Sequence, residues 1–482
     1  MSDTDFLNDS PGPKGKLITG HSKEFISDTL GFLTRLANEY GEVAKIRFGP
    51  FNNVYLISNS DLIKQVLVTK HKSFLKSKDF SALKPVLGEG LITSEKEYHM
   101  RQRRLIQPSF KKSHISNYGQ DMIDITMDYI STWKNREERI ITEDMMSLTL
   151  SIISKTMFSM RLKEGYGMLG EPIEAFMRIA VKRMRTLQMP LWVPTKNNRE
   201  YKIAKQRLDK VIYSVIEKRR TEAERHEDML GILMDARDDE DGLAMTDKQL
   251  RDELMTIFLA GHETTANALS WTLYLLSQHP DVETKLFNEI DSVIGNRNIT
   301  PGDFMKLTYT QNVIYESMRI YPPVYVIQRE VAEDVVIGGY LFKKGDMILL
   351  SQYVMHHKPE YFDNPDSFKP ERFENNFMKT LPPFAYFPFG GGPRVCIGNH
   401  FAVMEAVLVL ACIAQRYRIR LAPDHHEVKP LPSITLRPKR GLRMVVEDRN
   451  IGGFQPEASE IQMNISCINE QNCHSTPKVD PL

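Results

Sequence analysis

The chain has 482 residues, and its 63 basic and 62 acidic side chains leave a formal net charge of +1. Such a balance argues against a nucleic-acid-binding protein, which would carry a strong basic patch. The hydrophobic fraction of 41% and the charged fraction of 26% are ordinary for a globular protein. No linker-like stretch or repeat divides the sequence. We therefore expect one large domain over 16–448, a leader segment over 1–15 and a polar, disordered tail over 449–482.

The four cysteines are too few for a disulfide framework in so long a chain. Cys467 and Cys473 lie in the polar tail, whereas Cys396 and Cys412 lie in or beside an apolar segment. This usage predicts a cytoplasmic protein. The N-terminus lacks the pattern of a signal peptide, and the longest apolar stretch, 401–414, is too short to cross a bilayer, so we expect no membrane anchor.

The first half of the chain predicts one hairpin followed by helices. Two β-rich runs, 42–48 and 53–58, are separated by a Gly-Pro pair, as in a β-hairpin. From about 61 to 216 the apolar periodicity is mainly helical, with breaks at prolines and glycines. Residues 219–228 are almost all charged or polar and predict a solvated helix face or a loop.

A long apolar helix is predicted in the second half. Thr246 and Gln249 form a capping box that opens an apolar run ending at His279. About 30 residues at 1.5 Å each give a rod of roughly 45–50 Å, which must run through the middle of the protein because its apolar faces need cover. The predicted fold class is therefore mainly α with small β-sheets (α+β). Its remaining elements are helices at 281–294, 310–320 and 403–417, β-type runs within 335–351, and an extended segment at 434–446.

The segment FGGGPRVCIG, from Phe389 to Gly398, carries the strongest chemical signal. Glycines at 390–392 and at Gly398 permit backbone conformations closed to other residues and let a flat ligand approach the main chain. Cys396 is expected at the start of the following helix, where free N–H groups and the positive dipole end favour a thiolate. Arg394 can reach an anionic group on the same ligand, and Phe389 can shield the sulfur from water. These features suit a thiolate that ligates a large planar cofactor such as haem.

The same residues match the pattern F-x-x-G-x-R-x-C-x-G, which is the haem-ligand signature of the cytochromes P-450. The resemblance spans roughly 11–448. It implies the cytochrome P-450 fold, with haem b between the long central helix and the cysteine loop, and an axial thiolate that favours O–O cleavage. It also implies that Cys396 is the axial iron ligand and that four neighbours contact the haem: Phe389, Gly392, Arg394 and Gly398.

The central helix contains the segment AGHETT over 260–265. An isolated pair of threonines in a helix usually donates to carbonyl oxygens four residues earlier and bends the helix. An acid, an alcohol and a glycine together instead suggest a local opening above a cofactor. The segment resembles the family's oxygen-activation motif, [AG]-G-x-[DE]-T. The resemblance assigns dioxygen-side proton transfer to Thr264, proton delivery to Glu263, and haem contact to Ala260 and Gly261.

Two charged motifs resemble further family features. Glu316 and Arg319 lie three apart on one helix face, a spacing that alone is usually a surface pair. The family pairs such an E-x-x-R helix with the arginine of a P-E-R-F segment, here Arg372, in a buried network that fixes the cysteine loop. His99 and Arg103 lie one helical turn apart and could be no more than a basic helix face. The resemblance assigns them, with Arg329, to the haem propionates, which need cationic partners.

The resemblance implies a haem-thiolate monooxygenase that inserts one atom of dioxygen into a hydrophobic substrate by hydroxylation or epoxidation. We expect the electrons to come from a separate ferredoxin or flavodoxin with its reductase, because no flavin- or nicotinamide-binding sequence follows residue 448. Candidate docking charges for that partner are Arg101, Arg104, Lys111 and Lys112.

A fatty acid, a terpenoid and a polyketide all fit a hydrophobic pocket, which family analogy lines with residues from 80–87, 258–264, 324–327 and 433–436. Two other functions are open on the cysteine motif alone: a peroxide-using hydroxylase and a haem-thiolate sensor without catalysis. The pair Glu263 and Thr264 argues against both, because neither function needs a proton relay to dioxygen.

Overall fold

The computed structural model describes residues 10–78, 80, 83–160, 169–185, 190–222 and 228–449. Most of the predicted leader, the tail beyond Arg449 and the middle of the charged stretch at 219–228 lie outside the described residues. The helices, in chain order, are α1 (Ser22–Ser27), α2 (Thr29–Tyr40), α3 (Ser60–Lys64), α4 (Lys84–Leu87), α5 (Lys96–Ile106), α6 (Lys112–Ile130), α7 (Ile141–Phe158), α8 (Gly170–Arg185), α9 (Lys196–Thr221), α10 (Met229–Asp235), α11 (Asp247–Gln278), α12 (Pro280–Val293), α13 (Thr308–Ile320), α14 (Gln352–His356), α15 (Phe377–Thr380) and α16 (Asn399–Arg416).

The strands are short and few residues belong to them, so the prediction of a mainly α fold with small sheets is confirmed. The extended segment predicted over 434–446 is two strands, which belong to different sheets. The strands are β1 (Val43–Phe48), β2 (Asn52–Ile57), β3 (Phe74–Lys76), β4 (Glu138–Ile140), β5 (Ile327–Val331), β6 (Val335–Ile337), β7 (Tyr340–Phe342), β8 (Met347–Leu350), β9 (Tyr417–Leu421), β10 (Pro430–Pro432), β11 (Leu436–Pro438) and β12 (Arg443–Asp448).

The predicted central helix is α11, and its 32 residues correspond to about 48 Å at 1.5 Å per residue. Its start is the predicted capping box, in which Thr246 and Gln249 each accept from the other's backbone N–H. The helix packs against α7, α9, α13 and α16, and these helices bury its apolar faces. Trp271 is fully buried and donates from its indole N–H to the Leu436 carbonyl oxygen at 3.0 Å.

The largest sheet has the strand order β1-β2-β8-β5-β3. β1 and β2 form the predicted hairpin, with Phe48 opposite Asn52 at its closed end. β2 runs parallel to β8, and β5 runs antiparallel to both β8 and β3. At the far edge, the register places Lys76 of β3 opposite Arg329 of β5. The sheet therefore delivers two cations to one place.

α16 is the other main element of the core, and it packs against α6, α11, α12 and α13. The loop that carries Cys396 leads into its first residue, Asn399. Cys412 lies within the helix as a buried free thiol. Over the described ranges, no helix has both the length and the apolar character needed to cross a membrane.

Candidate active site

The loop that carries Cys396 is fixed by main-chain contacts. The Cys396 N–H donates to the Phe389 carbonyl oxygen at 2.9 Å, which closes the loop around the glycines. Arg103 of α5 donates to the carbonyl oxygen just before Cys396 at 2.8 Å. Gly392 has a φ of 67°, and a side chain there would overlap the Leu67 carbonyl oxygen. Glycine is therefore required at 392 both by the backbone conformation and by close packing.

Two expectations about this loop need correction. Gly398 is the N-cap of α16, so Cys396 precedes the helix rather than opening it. Gly398 has a φ of −91°, which any residue can adopt, and a side chain there would be in ordinary contact, 3.5 Å, with the Phe110 ring. Backbone freedom therefore does not explain this glycine, and the surrounding protein does not require it either.

The Cys396 thiol faces an internal cavity and is exposed to it, although protein surrounds the loop. Burial raises the pKa of this thiol above its ordinary value, while the Gly398 backbone and the positive charge of Arg103 lower it. A metal cation bound to the sulfur would deprotonate it outright. The surroundings thus favour a thiolate only when a cation binds the sulfur.

The cavity has a volume of about 360 Å³ and is mainly apolar. All four predicted segments contribute to it, except that Ser81 and Ala82 lie outside the described residues. Ile92 and Met177 also line it and were not predicted. Its apolar wall away from Cys396 comprises Phe80, Leu83, Ile92, Met177, Leu259, Ala260, Ala268, Val324, Val326, Ile327 and Ile434.

α11 continues without a break through the AGHETT segment, so the expected local opening is absent from this helix. The Thr264 hydroxyl lines the cavity and donates to the Ala260 carbonyl oxygen at 2.8 Å. Gly261 was expected beside the cofactor, but a side chain there would overlap Ile153 of α7. Gly261 therefore lies on the side of α11 that faces α7, whereas Ala260 and Thr264 line the cavity.

Glu263 is buried beside the cavity and is held by residues that the sequence did not single out. Its carboxylate accepts from the Thr435 hydroxyl at 2.5 Å. Asn267, one turn further along α11, donates to the same Thr435 oxygen at 3.1 Å. All three side chains are less than a tenth exposed. The acid is thus oriented by a loop from the opposite end of the chain, and no local pattern predicts that contact.

Buried cations gather at one end of the cavity, where the predicted His99, Arg329 and Arg394 meet. Burial and the neighbouring cations lower the pKa of His99 to about 3, so its imidazole is neutral. Burial, and secondarily Arg394, lowers the pKa of Arg329 to about 10. One carboxylate, Glu95, lies among them and forms an ion pair with Arg394. The cluster keeps an excess of positive charge, which an anionic ligand can neutralise.

Lys76 is a member of this cluster that sequence reasoning missed. It lines the cavity and its ammonium donates to the Ile92 carbonyl oxygen. Burial, followed by repulsion from Arg394 and Arg329, lowers its pKa well below the ordinary value. The signal was available, since Lys76 lies two residues after the buried Phe74 in a β-run and therefore on the same face.

The predicted charge network is formed and buried. Arg319 makes two hydrogen bonds to Glu316, at 2.7 and 2.9 Å, and Arg372 approaches the same carboxylate at 3.4 Å. Arg319 also donates to the His356 carbonyl oxygen at 2.9 Å, and the His356 ring accepts from the Phe387 N–H at 3.0 Å. The network therefore reaches the chain two residues before Phe389, through a histidine that was not predicted.

The predicted docking arginines are engaged within the chain. Arg101 pairs with Asp238 and Asp241, and Arg104 pairs with Asp238 and Glu240. Lys111 is exposed, and the side chain of Lys112 lies outside the described residues. The two arginines thus offer less free positive charge than the sequence suggests.

A carboxylate clamp positions the cavity wall next to Ile92. Asp252 and Glu253 of α11 accept from the backbone N–H groups of Glu89 and Leu91, each at 3.0 Å. Asp252 also pairs with Lys248 and Arg251. Burial is the main cause that raises the pKa of Glu253 to about 8, so this carboxyl is mostly protonated at neutral pH.

Comparison with known proteins agrees with this geometry. The family model described as Cytochrome P450 matches residues 10–444. The chain belongs to the cytochrome P450 family. It is 35% identical to cyclooctatin synthase of Streptomyces melanosporofaciens, covering 91% of this chain and 95% of that protein. It is 34% identical to cyclooctat-9-en-7-ol 5-monooxygenase of the same organism, covering 84% and 88%. The crystal structure of the cytochrome P450DA heme domain superposes with a TM-score of 0.84 at 26% identity, covering 92% of this chain and 98% of that one.

This P450 is therefore a monooxygenase with a haem cofactor, and its cavity fits that group. A thiol faces the cavity from the glycine loop, and α11 lines the cavity through residues that include Ala260 and Thr264. The buried cations Lys76, Arg329 and Arg394 also line it and can meet two propionates. His99 lines an adjoining pocket that shares Arg329 and Arg394 with this cavity.

Removing one member of the buried network should destabilise the protein strongly. Glu316→Gln leaves two arginines without their anion, and breaking a buried pair in this way costs about 3–5 kcal/mol. Guanidinium unfolding would measure the loss. The matched control is Glu427→Gln, which breaks the exposed pair with Lys429 and should leave the unfolding midpoint almost unchanged. Equal losses in the two variants would contradict the importance of the network.

Glu253 should make stability depend on pH. Its pKa is about 8 in the folded protein against an ordinary 4.5, so the folded state binds more protons between these values. Stability contributed by this group is therefore lost as pH rises from about 4.5 to about 8. Glu253→Gln keeps the acceptor for Leu91 and removes the titration. We expect the difference in unfolding free energy between pH 5 and pH 8 to shrink in this variant, and an unchanged difference would reject the assignment.

Proposed function

We propose that this P450 hydroxylates or epoxidises a cyclic terpenoid, using electrons from a separate ferredoxin or flavodoxin in the cytoplasm. The observation that carries the proposal is the mainly apolar lining of the cavity that the Cys396 thiol faces. Apolar side chains can enclose a hydrocarbon skeleton but offer it no anchoring charge. Two relatives support the terpenoid class over a fatty acid or a polyketide, since the name of one gives the cyclic alcohol cyclooctat-9-en-7-ol as its substrate.

In this proposal the Cys396 sulfur would bind the haem iron. The haem, once bound, would supply activation of dioxygen and transfer of one oxygen atom to carbon. Phe389 and the glycine loop would shield the sulfur from water. The propionates would be held by Lys76, His99, Arg329 and Arg394, while Arg103 fixes the cysteine loop through its contact with the carbonyl oxygen before Cys396.

Thr264 and Glu263 are proposed to pass protons into the cavity. Both side chains line it, and Glu263 is oriented by Thr435 and Asn267. A proton that leaves the carboxyl can reach the hydroxyl through water. To pass a proton into the cavity, the Thr264 hydroxyl must turn away from the Ala260 carbonyl oxygen to which it donates here. A peroxide-using enzyme or a sensor would have no need of this pair.

The spectrum of the reduced, carbon-monoxide-bound protein tests the ligand. Wild type should show the red-shifted Soret band of a thiolate-bound haem, and Cys396→Ala should lose it. Cys412→Ala is the matched control, because that thiol is buried within α16 and should leave the band unchanged. A thiolate band that persists in Cys396→Ala would overturn the assignment.

The substrate class is tested by the spin-state change of the ferric protein during titration. Cyclic terpenoid hydrocarbons and alcohols should bind at least about tenfold more tightly than saturated fatty acids of similar carbon number. The reason is that the cations lining the cavity, Lys76, Arg329 and Arg394, are expected to be engaged by the haem propionates and to leave no partner for a substrate carboxylate. Reduced ferredoxin and dioxygen should then yield an oxygenated product. Tighter binding of the fatty acid would reject the terpenoid assignment.

Replacing the hydroxyl of Thr264 should separate haem binding from product formation. Thr264→Ala should keep the thiolate spectrum but divert reducing equivalents to hydrogen peroxide, lowering product formed per nicotinamide oxidised by about tenfold or more. Thr272→Ala is the matched control, because Thr272 makes the same kind of bond, to the Ala268 carbonyl oxygen at 2.7 Å, away from the cavity. Coupled turnover in Thr264→Ala would contradict the proposed role.

A further inference from the structure

The closed end of the β1–β2 hairpin forms one end of the five-stranded sheet. Three turns meet there. The turn at 16–20 bonds to the hairpin, since Gly49 donates to the Thr19 carbonyl oxygen at 3.2 Å and Gly20 pairs with Phe48. The turn at 343–346 lies on the other side, because β8 begins beside β2 and Asn53 donates to Asp346 at 3.2 Å. We refer to residues 14–18, 49–51 and 343–345 together as the sheet-end patch.

The sheet-end patch exposes three large apolar side chains. Phe51 is 88% exposed, Leu17 is 85% exposed and Ile18 is 76% exposed. Phe51 and Leu17 are the two most exposed large hydrophobic side chains among the described residues, and Ile18 follows Trp192, which is 78% exposed. The three patch side chains come from two turns that hydrogen-bond to each other. Single exposed apolar residues are common, but a cluster at the tip of turns indicates an interaction surface.

Lysines surround these apolar side chains. Lys14, Lys16, Lys343 and Lys344 are all exposed at this end of the sheet. Among the described residues, three carboxylates lie near these turns: Glu24 is 3.8 Å from Lys16, Asp334 accepts from a backbone N–H in the 343–346 turn, and the buried Asp346 belongs to that turn. Lysines therefore remain in excess around the apolar tip.

We propose that the sheet-end patch docks the protein on the surface of an anionic lipid bilayer. Apolar side chains at protruding turns can enter the headgroup boundary, and lysines around them attract anionic lipids. A second copy of the chain fits less well, because a stable dimer buries about 800 Å² per partner and three side chains provide far less. The surface is peripheral, so it needs no helix that crosses the membrane.

The patch is connected to the cavity by the sheet itself. β5 and β3 of the same sheet supply Ile327, Lys76 and Arg329 to the cavity wall. Docking through the hairpin end would hold the cavity at a fixed orientation to the bilayer, where apolar compounds dissolve. The proposal does not depend on the terpenoid assignment.

Flotation of the haem-loaded full chain with vesicles tests the proposal. Wild type should float with vesicles of 3:1 phosphatidylcholine and phosphatidylglycerol, and less with pure phosphatidylcholine or at high salt. The triple variant Leu17→Ser, Ile18→Ser, Phe51→Ser should bind about tenfold less. The matched control Ile203→Ser, Leu243→Ser, Met305→Ser removes exposed apolar side chains elsewhere and should bind as wild type does. Failure of wild type to float, or equal binding of both triple variants, would overturn the proposal.

A single conservative substitution in the patch gives a second measurement, which does not depend on removing apolar side chains. Phe51→Trp should gain a fluorescence component that is blue-shifted by the anionic vesicles and quenched by brominated lipid, beyond the signal of the wild-type tryptophans. Sedimentation of the protein without lipid tests whether a second copy of the chain covers the patch instead. A dimer that the patch variant abolishes, together with no quenching of Trp at position 51, would show that a second copy covers the patch.

Discussion

A flat anionic cofactor can lie inside this protein only if the protein buries positive charge to meet it. Unpaired charges in a low-dielectric interior are energetically unfavourable. The cluster of Lys76, His99, Arg329 and Arg394 therefore lowers the stability of the folded protein before the cofactor binds. The cost appears as lowered pKa values of Lys76, His99 and Arg329, for which burial is the largest cause. Folding and haem binding are therefore coupled, since the anionic ligand neutralises the positive charge that folding buries.

The Cys396 loop is held by similar means on its other side. Glu316 and Arg319 neutralise each other in the core. Arg319 donates to the His356 carbonyl oxygen, and the His356 ring accepts from the Phe387 N–H, so the ion pair is linked to the chain at Phe387. A chain of hydrogen bonds thus positions the loop that carries the sulfur. The chain begins on α13, a helix far from Cys396 in sequence. Fold stability and ligand geometry depend on the same side chains, which explains why a charged network is tolerated where an apolar core would be simpler.

Local patterns predicted much of this protein. The capping box placed the start of α11, two β-rich runs around a Gly-Pro pair placed the hairpin, and the spacing around Cys396 identified the cysteine loop. Contacts made by a distant segment were not predicted. Ile153 lies against Gly261, Thr435 orients Glu263, and Asp238 and Asp241 engage Arg101. Each of these contacts joins residues more than one hundred positions apart, and a single sequence carries no record of such pairings.

The bond between the Thr264 hydroxyl and the Ala260 carbonyl oxygen has a consequence for anything that enters the cavity. A hydroxyl has a single hydrogen, and here the helix backbone already holds it. Toward the cavity the side chain therefore presents only lone pairs. While this bond is intact, a guest that bears a hydrogen-bond donor will find a partner at this position, and one that bears only acceptors will not. The backbone of α11 therefore sets a polarity for binding at this point of a mainly apolar cavity.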